Sequence, residues 1–157
     1  MDPILQIKDL QTHFFTKAGV LKAVDGVSLE IGAGEIVGLV GESGSGKSIT
    51  GFSIMGLVDA PGRIVGGQIL FKGQDLAKLS PAEMQAYRGN RIAMIFQDPM
   101  MTLNPVLRIE TQMVETILSH DSSVSKIDAH ARARDALGLV GISSPDERLR
   151  AYPHQFS

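Results

Sequence analysis

Residues 35–58 read Glu35-Ile36-Val37-Gly38-Leu39-Val40-Gly41-Glu42-Ser43-Gly44-Ser45-Gly46-Lys47-Ser48-Ile49-Thr50-Gly51-Phe52-Ser53-Ile54-Met55-Gly56-Leu57-Val58. The run before Gly41 is short, continuously apolar and β-branched, which predicts a strand buried on both faces in a parallel sheet. Gly41 to Ser48 then match G-x-x-x-x-G-K-[ST] at every fixed position. Glycines let the backbone curl so that successive N–H groups converge on phosphate oxygens. Lys47 reaches the β- and γ-phosphates as a point charge, and the Ser48 hydroxyl is a hard oxygen ligand suited to Mg²⁺. Apolar residues at Ile49, Phe52, Ile54, Met55 and Leu57 predict a helix from Lys47 to Val58, whose N-terminal amides and dipole favour the same anion. The expected nucleotide-phosphate residues are Gly41, Glu42, Ser43, Gly44, Ser45, Gly46, Lys47, Ser48 and Ile49.

Outward from this loop, Ile4 to Phe15 and Lys22 to Ile31 are β-rich and separated by Thr16-Lys17-Ala18-Gly19. On the other side, Gly66 to Phe71 predicts a strand after a Pro/Gly loop. Ser80-Pro81-Ala82-Glu83 is a capping box with proline at the first helical position, opening a short helix to about Tyr87. Arg91 to Phe96 is a second buried-type strand, ended by Gln97-Asp98-Pro99. The last fifty or so residues turn helical. Leu107, Met113, Val114, Ile117 and Leu118 have helical spacing, Ser125 with Asp128 caps a helix through Leu137, and Ser144-Pro145-Asp146-Glu147 opens a third.

Composition removes several classes. With 15 basic and 17 acidic residues the net charge is −2 and spread evenly, leaving no electrostatic footprint for nucleic acid. Cysteine is absent, which excludes thiolate nucleophiles and Cys-ligated metals. No run approaches the ~18 apolar residues of a membrane span, and the opening MDPILQIKDL is unlike a signal peptide. His13, His120, His130 and His154 are scattered without a metal-ligand spacing. Met55, Met84, Met94 and Met113 are expected as core filler.

Met94-Ile95-Phe96-Gln97-Asp98-Pro99-Met100-Met101-Thr102-Leu103-Asn104-Pro105, together with the 41–48 loop and Tyr152-Pro153-His154-Gln155-Phe156-Ser157, resembles the ATP-binding subunits of ABC transporters, in particular the dipeptide/oligopeptide importer branch. The resemblance runs from Ile4 to Ser157. It implies an α/β P-loop NTPase of the ABC ATP-binding type, incomplete. An N-terminal antiparallel β-subdomain and the start of the parallel core sheet would occupy residues 1 to about 104, and a C-terminal helical subdomain about 105 to 157. It implies ATP and Mg²⁺ as cofactors, with Ser48 and Gln97 toward the metal. Gln97 is placed as the glutamine that holds Mg²⁺ or positions the attacking water. A competing assignment makes Asp98 the acid at the strand end, but leaves Pro99 and Leu103-Asn104-Pro105 without a role. Phe14 falls where the family stacks an aromatic on adenine, with Phe15 as its neighbour and competitor. Glu110 departs from the family, whose members usually carry Gly there, which puts the local bend before the next helix in doubt. The implied partners are membrane permease subunits and a second ATP-binding subunit, at the cytoplasmic face of the plasma membrane.

Ser157 falls on the serine of the family signature, so the Walker B acid pair, the D-loop and the switch histidine are not among these residues. The sole Asp-Glu pair, Asp146-Glu147, follows Ser-Pro and no strand. The expectation is a fragment that binds ATP without hydrolysing it. Two other classes stand beside it: a small nucleotide-dependent phosphotransferase, for which Arg132, Arg134, Arg148 and Arg150 would have to serve, and a non-catalytic remnant or docking protein.

Overall fold

The computed structural model describes residues 3–97 and 102–156. They fall into two compact units, Met1–Arg88 and Gly89–Ser157.

The first unit is built on an antiparallel sheet. β1 (Leu5–Thr16) and β2 (Gly19–Ile31) form a hairpin, β3 (Gly62–Phe71) pairs with the other side of β1, and the short β4 (Gln74–Asp75) extends β3, in the order β2-β1-β3-β4. Thr16 Oγ1 donates to Gly19 O at 2.9 Å and closes the hairpin, carrying it three residues past the expected start at Lys22. A bulge at Asp9 (φ 48°) shifts the alternation, so that Ile7 and Leu10 are both buried although three apart. Gly67 (φ 84°) faces that bulge, and any side chain there would collide with the Asp9 carbonyl.

Helix α1 (Lys47–Ile54) packs on this sheet through a buried polar pin. The Ser53 hydroxyl donates to Ile49 O at 2.7 Å. Its single proton is thereby used, so Thr12 Oγ1 must be the donor in the 2.8 Å bond between the two hydroxyls. The helix is shorter than the periodicity predicts. Leu57 N–H returns to Phe52 O at 2.8 Å and Gly56 N–H to Ser53 O at 3.1 Å, with Gly56 in the left-handed region. That closing pattern ends the helix at its C-terminus. Arg88 then donates to Met55 O at 2.8 Å and Gly56 O at 2.6 Å, placing a cation on the last carbonyls. Helix α2 (Pro81–Gln85) carries the expected capping box, Ser80 and Glu83 bonding each other reciprocally. Met55 and Met84 are buried apolar residues.

Two expectations are corrected. Neither Val37 to Val40 nor Ile92 to Phe96 joins the sheet. Val37 to Val40 is exposed, as is Ile36 at 98%. Ile92 to Phe96 alternates half-buried with exposed residues, Ile95 at 91%, and reaches only an isolated bridge at Ile92. The composition of a two-face-buried strand is present, but such a strand exists only by pairing. Among the described residues no strand lies alongside either run. The start of the parallel core sheet is thus represented by its sequence and not yet by a ladder.

The second unit is helical: α3 (Ile109–His120), α4 (Lys126–Leu139) and α5 (Pro145–Arg150). Ile109, Ala133, Leu137 and Leu149 form its core, with Leu103, Met113, Ile117, Ile142 and Phe156 packed around it. Ser125 caps α4 by accepting from Asp128 N–H, as its sequence predicts. The side chain of Gln112 fixes the approach to α3, accepting from Asn104 N–H at 2.9 Å and donating to Asn104 O at 3.0 Å and Leu107 O at 3.1 Å. Glu110 therefore causes no break. It sits in the first turn of α3, where the helix dipole favours an acid, and faces Arg108 at 3.6 Å and His130 at 3.4 Å.

Candidate functional site

The loop 41–46 delivers the chain to α1 through two left-handed glycines, Gly44 (φ 81°) and Gly46 (φ 90°). Gly46 is the N-cap, and a Cβ on it would run into the Ala23 carbonyl oxygen of β2. The close approach of loop to strand is what the glycine at this motif position permits here. The first helical bond is Thr50 N–H to Gly46 O at 2.8 Å, reinforced by Thr50 Oγ1 to the same oxygen at 3.0 Å. Lys47, Ser48 and Ile49 precede it and carry the amides that an α-helix leaves without an internal partner.

Lys47 folds back over the loop. Its ammonium donates to Gly41 O and Glu42 O, both at 2.7 Å, with Ser45 Oγ at 3.4 Å. A cation held by neutral carbonyls can exchange them for a polyanion, which offers stronger charge-assisted acceptors. Ser48 is exposed at the second position of α1, beside this cradle. A hard-oxygen donor placed there fits Mg²⁺. Ser45 N–H bonds Glu42 O at 3.2 Å, which keeps the front of the loop, Gly41 to Ser43, in its turn.

A cavity of about 340 Å³ opens beside the loop, lined by Phe14, Leu21, Ala23 and residues 44–49. The β1–β2 register sets Phe14 opposite Leu21, and both line this cavity. Phe15 points elsewhere: the Arg63 guanidinium lies 4.1 Å over its ring. Of the two adjacent phenylalanines, the structure brings Phe14 to the loop. Leu21 and Ala23 were not singled out from sequence. The signal that could have found them is the turn at Thr16–Gly19, which fixes the hairpin register and hence the residue facing Phe14.

Gln97 is an exposed residue of the second unit. Residues 98–101, including Asp98, lie outside the described residues, as does Ser157. The helical unit has its own feature, a groove of about 710 Å³ between α3 and α4. Val114 and Leu118 contribute apolar lining, Ile127 is 83% exposed at its edge, Glu110, Glu115 and Lys126 add charge, and His130 adds an imidazole. Met113 and Ile117 of the expected apolar stripe pack inward instead.

A glycine loop that runs into the N-terminus of α1 lies beside an antiparallel hairpin, and solved structures share this fold. The dimeric structure of MJ0796, described as a bacterial ABC transporter cassette, superposes with a TM-score of 0.81 at 24% identity, covering 98% of this chain and 63% of that one. A structure of the same cassette in a post-hydrolysis state, bound to ADP and Pi, matches equally well. The chain belongs to the ABC transporter family, whose sequence model matches residues 24–157. Among similar proteins, the dipeptide transport ATP-binding protein DppD of Bacillus subtilis is 47% identical over 158 residues, covering 100% of this chain and 47% of the relative. A probable peptide ABC transporter ATP-binding protein, y4tR of Sinorhizobium fredii, is 45% identical, covering 99% of this chain and 47% of its own length. The chain thus spans about half the length of the curated relatives it matches.

Proposed function

We propose that these residues form the ATP-binding part of a transport ATPase subunit that energises import of peptides or similar small solutes. The observation that carries the reading is that one cavity is lined both by the N-terminus of α1 with its glycine loop and by an aromatic, Phe14. In this reading, amides of Gly44 to Ile49 and the Lys47 ammonium hold the phosphates. Gly41, Glu42 and Ser43 shape the front of the cradle. Ser48 holds Mg²⁺ from the loop side, and Gln97 is assigned to the metal or to the attacking water. Phe14 stacks on the base. The peptide assignment draws on the relatives, which are named for dipeptide, oligopeptide or peptide transport.

The functional division assigns nucleotide binding to residues up to about 104 and partner contact to the helical part beyond. The α3–α4 groove, apolar with charged edges, supports contact with a membrane permease subunit. A second ATP-binding subunit would complete the transporter, which places the protein peripherally at the cytoplasmic face of the plasma membrane. Among the described residues no helix is long and apolar enough to cross a membrane. These 157 residues are assigned binding without turnover. The sole Asp-Glu pair, Asp146-Glu147, lies in the first turn of α5, where capping accounts for it.

Equilibrium binding of ATP·Mg and of inorganic triphosphate tests the assignment. Lys47→Ala should weaken both ligands, whereas Phe14→Ala should weaken ATP and spare triphosphate. Equal losses for both ligands on Phe14→Ala would remove the stacking role. Phosphate release above the level of Lys47→Ala would contradict binding without turnover.

A further inference from the structure

Phe14 lies between two cross-strand partners, Leu21 on β2 and Gly62 on β3. The Gly62 side is crowded. A Cβ there would lie 2.5 Å from Phe14 Cε1, 2.9 Å from Cδ1 and 2.8 Å from Val58 Cγ1. The ring therefore occupies the space that any other residue at 62 would fill, in the manner of an aromatic packed over a glycine on a neighbouring strand. On the opposite side the Phe14 ring borders the open cavity shared with Leu21, Ala23 and the loop. Gly62 does not adopt the left-handed conformation, so a side chain there meets no backbone objection. All three close atoms belong to side chains, so the ring and Val58 must yield, not the strand.

We infer that Gly62 is a positioning residue for nucleotide recognition: its missing side chain lets the Phe14 ring lean over β3 and keeps the space toward Leu21 and Ala23 open for the base. A methyl at 62 turns the ring toward β2 and into that space. The inference rests on the reading of Phe14 as the stacking residue, and it assigns the specificity of the cavity to a position with no side chain and no contact with the phosphates.

The chain contains no tryptophan, so Phe14→Trp creates a unique indole at the stacking position. ATP·Mg should quench its fluorescence. Adding Gly62→Ala to this variant should abolish most of the quench and lower ATP affinity about tenfold, the scale of one lost base–aromatic stack. Inorganic triphosphate binding should stay within about twofold, showing that the fold and the cradle are intact. In a Phe14→Ala background, Gly62→Ala should leave ATP affinity nearly unchanged, because no ring remains to displace. Full quench and unchanged ATP affinity with Ala at 62 would overturn the positioning role while leaving stacking intact. Equal loss of ATP and triphosphate would also overturn it, showing general damage instead. Absence of any quench with Gly62 present would remove the stacking reading itself, and the inference with it.

Discussion

The β-sheet around β1 and the run from Ile36 to Val40 both carry aliphatic residues, yet they reach opposite states. Leu10 and Ile69 are fully buried in the antiparallel sheet, while Ile36 and Val40 stand in solvent. The difference lies in the neighbours. β1 has a partner on each side, supplied by a hairpin of two turn residues and by β3. The run at 36–40 leads into the phosphate loop without a strand beside it among the described residues. Burial is thus a property of pairing, and an apolar stretch only states what kind of partner it needs.

Substitutions can break or sharpen this contrast. The largest effect is expected from Leu10→Ala, about 2–5 kcal/mol of lost stability from the emptied core site, whereas Ile36→Lys should stay within about 0.5 kcal/mol. Denaturant melts of the two variants check this, and similar losses would show that 36–40 is packed in solution. Next comes Ser53→Ala, which strands the buried Thr12 hydroxyl and should cost about 1–3 kcal/mol. The double change Thr12→Val with Ser53→Ala should recover much of that loss, since no unpaired hydroxyl remains.

A smaller effect belongs to the Ser80–Glu83 box. Bonds from the Ser80 hydroxyl and backbone amide hold the Glu83 carboxyl below its ordinary range. A carboxylate with a lowered folded pKa stabilises above its unfolded pKa, and the contribution fades as pH falls through the folded value. Ser80→Ala should therefore cost more near neutrality than in acid below that range, where only the cap bond from Glu83 N–H is lost. A pH series of thermal melts measures it, and a loss independent of pH would assign the effect to the hydroxyl alone.

The turn of the glycine loop into α1 was legible because its motif is local: eight consecutive residues carry the turn glycines, the cation and the helix start. The capping boxes at Ser80 and Ser125 were legible for the same reason. What escaped the sequence depends on distant partners. α1 ends at Ile54, and the Met55 and Gly56 carbonyls that follow are held by Arg88, far along the chain, so helical periodicity overran the end by four residues. The choice between Phe14 and Phe15 needed the strand register, which decides which ring faces the loop and which takes Arg63. The strands expected at 37–40 and 92–96 were read from apolar runs, which specify burial but do not name the neighbour.

In the proposed function residues 44–49 hold phosphates, while the adjoining run 36–40 stays without a strand partner among the described residues. Amide hydrogen exchange with and without ATP·Mg, resolved by residue and repeated on Lys47→Ala, tests both halves at once. The account predicts that ATP·Mg slows exchange at Gly44 to Ile49 in the parent chain only, with 36–40 exchanging rapidly throughout. Unchanged exchange at 44–49, or equal protection in Lys47→Ala, would contradict it.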